Sequence, residues 1–514
     1  MSFLEKKTSL ILLSLCLLFG ASFAFLSKSL LLPFLAFLGI LGFISFFYAP
    51  RLAFFAILFL RIELDLLWWL PYSFGPINLL AAFTGGITIL GTILAIVRFH
   101  NDIENHPSIH YFLALIVLLF FGAIRAYSTS IMIDEFFRIY SPILIIFLST
   151  SLFNKKGDWY RLFLLFLLAS IIPIAISTFH FFTGQMSKIE IDGVRRLLGG
   201  YQNLRNHALM MLIFSCCGVY FFFQAQNIWQ RITSSIYCFT TLFFIYLTQT
   251  RATLIVFALF VFLFLFLTKR RAFLFVSLGG IVLAALLNPS ALQRFSEFSY
   301  FFTQIFDNSP HEVDYSRLGS GRFGLWSNSM EAYLDHSLPE ILLGLGFGYH
   351  WILTRGAYSG FALVQGGFVD THNDMLRILY QIGPFGLLLF LALLHHGAKT
   401  SYWVYKNALT QQQRDAGAIL VALSLAIVVN NILSSGINSR TTFGWCFWAL
   451  IAISYIIKRE VINDRFAQAK NLQKDDGRSS VLSKVEWSEQ MQEKPLSPSV
   501  DAPQVYILPT SHTD

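Results

Sequence analysis

Four short polar clusters carry the residue types that chemistry needs in an otherwise apolar sequence. One is Asp370-Thr371-His372-Asn373-Asp374, just ahead of an apolar run that starts near Leu376. Histidine is the side chain that most readily moves a proton near neutral pH, so His372 is a candidate acid or base, with Asn373 beside it as a polar contact for substrate. Asp370, Thr371, Asn373 and Asp374 each also fit a helix cap. Capping accounts for all of them but not for the histidine, for which a plain surface position is the alternative. No second His or Cys stands at ligand spacing, so no metal is expected.

A second cluster is Gly319-Ser320-Gly321-Arg322-Phe323-Gly324-Leu325-Trp326. Glycines let a backbone approach a ligand closely. Leu325, Met330, Tyr333 and Leu334 then predict an amphipathic helix ending near His336. An arginine at such a helix start holds an oxyanion with help from the free N–H groups; a glycine-rich turn before a surface helix is the commoner arrangement. The third cluster, Thr248-Gln249-Thr250-Arg251-Ala252-Thr253, lies between two strongly apolar runs. Small hydroxyl residues around Arg251 fit a helix junction that meets a phosphate, and an arginine snorkelling to lipid headgroups fits them equally. The fourth runs from Arg195-Arg196 through Gly199, Gly200 and Asn203 to Arg205 and His207. It reads as an anion-binding entrance to the following span or as a solvated loop with snorkelling arginines. Glu63 and Asp65 are acids inside an apolar run, a functional warning in a membrane segment, but Arg61 is close enough to pair with them structurally.

The elements that must position these clusters are membrane spans. Of the 514 residues 55% are hydrophobic and only 13% charged, about half the charge of a soluble domain. Apolar runs at 8–27, 29–49, 52–70, 79–98, 108–124, 139–153, 160–182, 206–224, 232–249, 252–268, 272–288, 376–396, 415–433 and 440–457 approach the roughly 20 residues that a span needs. The expected fold is an all-α, polytopic transmembrane bundle of about 12–14 spans with one large external loop containing short helices. The chain divides into N-terminal helices over 1–205, central helices over 206–288, the external loop over 289–375, C-terminal helices over 376–458, and a polar, disordered tail over 459–514.

Basic residues set the orientation. With the N-terminus inside, Lys6-Lys7, Lys155-Lys156, Lys269-Arg270-Arg271, the Lys399–Arg414 loop and Lys458-Arg459 all fall in the cytoplasm, and so does the tail. The segments 125–138, 183–205, 249–251, 289–375 and 434–440 then face outward. Arg294, Arg317, Arg322 and Arg355 lie in the longest, and binding of an anion explains cations placed there. The five cysteines sit in apolar runs and read as buried thiols. The net charge of +8 suits contact with anionic membrane lipid; with basic residues scattered between spans, nucleic acid is not an expected partner.

Taken in order, Arg251 in Thr-Gln-Thr-Arg, Gly321-Arg322 with Trp326, Gly344-Leu345-Gly346-Phe347-Gly348, and His372-Asn373 followed by Gly383 and Gly386 resemble the O-antigen ligase and polymerase superfamily. The likeness covers roughly residues 195–450, and Pro384 departs from the usual pattern. The resemblance implies a bacterial inner-membrane glycosyltransferase that needs no metal or other cofactor. Its donor would be a glycan on undecaprenyl diphosphate at the periplasmic face. The acceptor would be lipid A–core in the ligase branch and another lipid-linked glycan in the polymerase branch, with ligase placed first. Arg322 and Arg251 would then stabilise the diphosphate leaving group, and His372 would accept or orient the acceptor proton, with inversion at the anomeric carbon. Arg205, Arg196, Asn373 and Trp326 would bind substrate. Tyr349, Trp351 and Tyr358 would stack on sugar or simply build the loop's own core. Arg355 and Gly366 match a spacing that polymerases show in paired loops, but 183–205 holds no partner for it. A lipid-glycan flippase or transporter is the alternative of another class, and an inactive membrane partner is a third.

Overall fold

The computed structural model describes residues 45–46, 48–67, 73–74, 77–185, 196–273, 322–357 and 371–475. The expected spans 8–27 and 272–288, most of 29–49, Arg195, Gly319–Gly321, Tyr358, Gly366, Asp370 and the tail beyond Asp475 lie outside the described residues, as does the Arg355 side chain. Among the described residues the chain is helical, apart from loops and a two-residue antiparallel ladder of Ser73–Phe74 with Ile77–Asn78. The expected all-α polytopic bundle is therefore the fold.

The helices are α1 (Pro50–Leu64), α2 (Leu79–Arg98), α3 (His100–Glu104), α4 (Ile109–Ile124), α5 (Thr129–Leu152), α6 (Asp158–Ala169) and α7 (Ile171–Phe182). They continue with α8 (Leu204–Gln224), α9 (Ile228–Leu247), α10 (Arg251–Leu267), α11 (Arg322–Leu334), α12 (Leu338–Leu343), α13 (Tyr349–Ala357), α14 (Asp374–Asn407), α15 (Gln411–Leu433) and α16 (Thr441–Asp475). Asp158–Phe182, Leu204–Gln224, Asp374–Asn407, Gln411–Leu433 and Thr441–Gln468 are each long and apolar enough to cross a membrane. Local signals set the starts. Asn203, Asn227 and Asn373 cap α8, α9 and α14 through their side-chain carbonyls, and Thr410 with Gln413 forms a reciprocal capping box on α15.

Three helices differ from the sequence expectation, one of them α16, which runs past 457 to Asp475 and so makes the first part of the expected disordered tail helical. The run 139–153 is the second part of α5, which begins ten residues earlier at Thr129. Asp134, Glu135 and Arg138 interrupt the apolar pattern there, yet Glu135 is fully buried because it is paired. α14 runs on to Asn407, its 34 residues rising roughly 50 Å, more than a bilayer core.

α8 is buried without interruption from His207 to Gly218, and α15 and α16 are buried on most sides, which places them centrally. Ile124 and Phe182 are each 80% exposed and Phe239 70%, so α4, α7 and α9 turn apolar faces outward where lipid tails would lie. The bundle has two polar ends. At one, Arg270 meets Asp415 at 2.9 Å, Gln224 meets the same carboxylate, and the Tyr405 hydroxyl donates to the Leu267 carbonyl. At the other end lie the starts of α8 and α14 and the end of α15.

α14 is broken after about two turns, with non-helical backbone at Ile382 and a φ of 73° at Gly383. Pro384 lacks an N–H and its ring crowds the carbonyl of Tyr380. The loop after α12 repairs the break. Leu345 N–H donates to the Tyr380 carbonyl at 2.7 Å and Gly346 N–H to that of Gln381 at 3.1 Å. Gly344 passes so close that a Cβ would lie 2.5 Å from the Gln381 and Ile382 backbone. The Gly344–Gly346 part of the motif thus staples the broken helix, while Gly346 also passes against the Arg125 backbone and Gly348 against Ile131.

Candidate functional site

His372 sits immediately before α14 with a φ of 53°, in the left-handed region. A non-glycine residue held there costs on the order of 1–3 kcal/mol. Its neighbours hold it. The Trp326 indole donates to the Thr371 carbonyl at 2.8 Å, the Thr371 hydroxyl donates to the Asn373 carbonyl at 3.1 Å, and Asn373 Oδ1 accepts from the N–H groups of Met375 and Leu376. Asn373, not either aspartate, is therefore the cap, and its side-chain carbonyl is used in that role.

Arg205, in the first turn of α8, donates from Nη1 to His372 Nδ1 at 2.8 Å. The two residues are 167 positions apart in the chain. Arg322 opens α11 and donates from Nη1 to the Leu433 carbonyl at 2.7 Å, at the last turn of α15. Because α14 and α15 are joined by the short segment 408–410, the start of one and the end of the other share one end of the bundle. Arg322, Arg205 and His372 therefore lie at the same end. Arg251 is exposed at the first turn of α10. α10 packs against α15, and its last residue, Leu267, is at the far end beside Tyr405. Seventeen residues of helix put Arg251 roughly 25 Å back from there, at the level of Leu433. Arg196 is half-buried with a buried Nε that has no hydrogen-bond partner. Its neighbour Leu197 is anchored to the Leu247 carbonyl, four residues before Arg251.

Trp326 reaches the histidine segment through its indole N–H. Leu325 and Tyr333 are the buried face of α11, whereas Leu334 is 58% exposed and does not join that face. Tyr333, Leu345, Leu353 and Tyr380 form a small core that fixes α11, α12 and α13 to the top of α14. His207 is buried on Ser177 and the Leu197 carbonyl, and Tyr201 stacks on its ring. Burial, with Glu63 and Asp65 nearby, pushes the Tyr201 hydroxyl well above its usual range. Arg61 and Asp65 form the buried i,i+4 pair expected of them, at 2.7 Å.

A buried network beneath His372 escaped the sequence reading. The Arg377 guanidinium is clamped by the Glu135 carboxylate and by the Ser439 hydroxyl at 2.7 Å. Gln381 donates to Glu135 at 2.8 Å and approaches His350 Nδ1 at 3.1 Å. Asp374 accepts from the N–H groups of Gly436 and Asn438 and from the Ser439 hydroxyl at 2.6 Å. These groups tie the 434–440 segment to α14 and α5. Their signal in the sequence is faint, since Glu135 and Arg377 are 242 residues apart, Glu135 merely precedes an apolar run and Arg377 lies inside another. Among the described residues no three His, Cys, Asp or Glu side chains converge as metal ligands would.

Fold and site together define a polytopic helical membrane protein that gathers arginines and a histidine at one end of its bundle, beneath an insert between spans. Residues 236–391 match a family model described as O-Antigen ligase, so this segment is similar to that family. The match is narrower than the stretch 195–450 that carries the sequence resemblance. It includes Arg251, Arg322, Trp326, His372 and Asn373, and leaves out Arg196, Arg205 and Glu135. No curated protein matches the chain.

Proposed function

We propose that the protein is an inner-membrane glycosyltransferase that moves a glycan from undecaprenyl diphosphate to an acceptor hydroxyl at the periplasmic face, with the ligase reaction, onto lipid A–core, ahead of polymerisation. The observation that carries this reading is the convergence at one end of the bundle of His372 with Arg205, which touches its ring, and Arg322, which reaches the end of α15. In the reaction the acceptor oxygen attacks the anomeric carbon. The bond from that carbon to the phosphate oxygen breaks, and negative charge grows on the diphosphate. Arg322 and Arg251 stabilise that charge, an arginine being always protonated and able to grip phosphate with two donors. His372 takes the acceptor's proton. Attack from the face opposite the leaving group inverts the anomeric centre. Trp326 and Arg196 line the approach.

The test is transfer by purified protein given a lipid-diphosphate glycan with and without lipid A–core. Wild type transfers, and His372→Ala, folded as wild type, loses about 10²–10⁴ in rate. Transfer by His372→Ala at the wild-type rate contradicts the base role. Elongation of the donor without added core moves the protein to the polymerase branch.

A further inference from the structure

The loop that follows α12 fixes the depth of that helix. Phe347 N–H donates to the Gly122 carbonyl at 3.1 Å, in the last turn of α4, and Gly344 passes against the Gln381 and Ile382 backbone of α14. A Cβ on Gly122 would lie 2.8 Å from the Ile382 side chain. The end of α4, the break in α14 and the end of α12 therefore share one level. α4 shows where that level falls in a membrane. Val117, Phe120, Phe121 and Ile124 are exposed along its lipid-facing side. Arg125 and the exposed Tyr127 follow at once, a cation and an aromatic of the kind that stand among headgroups. The level is thus the boundary between acyl chains and headgroups.

At this boundary α12 turns leucines away from the protein. Leu338 is 67% exposed, and Leu342 and Leu343 are 36% and 37% exposed. Leu338 and Leu342, four residues apart, stand on one side of the helix. Ile341 instead packs against the core of Tyr333, Leu345, Leu353 and Tyr380. The rim is polar, with Asp335, His336 and Ser337 exposed ahead of the helix and Glu340 3.9 Å from Arg125. An exposed apolar patch with a polar rim marks a contact surface. The Arg125–Glu340 pair ties α12 to the end of α4, so the leucines extend the lipid-facing side of that span.

We propose that α12 lies in the leaflet at the site end, with Leu338, Leu342 and Leu343 on the acyl chains of phospholipid, so that the insert rests in the membrane surface and does not stand off in water. An interfacial helix of this kind buries its apolar side about 5–10 Å into the boundary of headgroups and acyl chains. Glu340 and Arg125 remain among the headgroups. The core of Tyr333, Leu345, Leu353 and Tyr380 passes this anchorage to α11 and α14, which position Arg322 and His372. His372 precedes α14 and stands two turns of helix, roughly 10 Å, beyond the anchored level. A headgroup layer is about 5–7 Å deep. The histidine is thereby held at its water-facing edge, in reach of lipid-borne phosphate on one side and of solvent on the other. The lipid contact does not depend on which reaction the site performs.

The test uses the unmodified full-length chain in nanodiscs of phosphatidylethanolamine and phosphatidylglycerol, with a small share of the lipid carrying a diazirine midway along one acyl chain. After irradiation and proteolysis, mass spectrometry should find lipid adducts on Leu338–Leu343 as often as on Val117 of α4. In a parallel sample, hydroxyl radicals generated in the water should modify His336 and leave the three leucines as little changed as Val117. Adducts on the leucines far below those on Val117 overturn the proposal. They do so whether radicals reach the leucines, which places α12 in water, or spare them, which places protein over them.

Discussion

The two ends of the helical bundle treat their arginines differently. At the far end Arg270 lies 2.9 Å from Asp415, and Arg51 and Arg161 share Asp158 at 3.5 and 3.1 Å. Cation meets carboxylate, and Arg270–Asp415 and Arg51–Asp158 each join segments distant in sequence, whereas Arg161 pairs within its own helix. At the site end the contacts of Arg205 include an imidazole and those of Arg322 a main-chain carbonyl, while Arg125 and Arg138 meet the carboxylates of Glu340 and Asp134. Arg377, five residues after His372, follows the far-end rule although it sits at the site end, because Glu135 neutralises it in the protein interior. A carboxylate partner cancels much of the field that a cation would otherwise offer to an anion that arrives later.

Removing Glu135 breaks that distinction most severely. In Glu135→Ala the Arg377 charge is buried without its counterion, at a cost of about 3–5 kcal/mol. The expected result is a large drop in the temperature at which the purified protein loses its folded elution profile. A variant as stable as wild type places Arg377 among the arginines whose charge is available to substrate. Asn373→Ala sharpens the comparison on a smaller scale. Loss of the α14 cap costs about 0.5–2 kcal/mol, with the Michaelis constant for donor and acceptor unchanged. A Michaelis constant raised tenfold at wild-type stability returns Asn373 to the substrate contacts that the sequence suggested.

The sequence revealed the bundle and the order of its polar clusters because both are local. Apolar runs mark spans by length alone, and Asn203, Asn373 and Thr410 stand at helix starts as capping chemistry requires. His372, Arg322 and Trp326 are conspicuous for being polar or aromatic beside glycines in an external segment. What stayed hidden is pairing across long stretches of chain. The buried clamp of Glu135 on Arg377 made an apolar run look short, so α5 was read as beginning at 139 instead of Thr129. The Gly344–Gly348 stretch could not be assigned a role from sequence, because the broken turn of α14, whose carbonyls accept from Leu345 and Gly346, is distant in the chain. Arg205 was visible as a cation near an entrance, but nothing in a one-dimensional pattern could join it to a histidine 167 residues away.

In the proposed reaction Arg322 at the site end faces an incoming diphosphate, whereas Arg51 at the far end is paired with Asp158. The direct measurement is the affinity of the nanodisc-embedded protein for undecaprenyl diphosphate, with undecaprenol as reference, in wild type, Arg322→Gln and Arg51→Gln. A hydrogen bond to a charged group is worth about 1.5–3 kcal/mol, so Arg322→Gln should weaken diphosphate binding by about tenfold to a hundredfold and leave undecaprenol binding as it was. Arg51→Gln should change neither. Equal loss in the two variants, or no loss in Arg322→Gln, contradicts the claim.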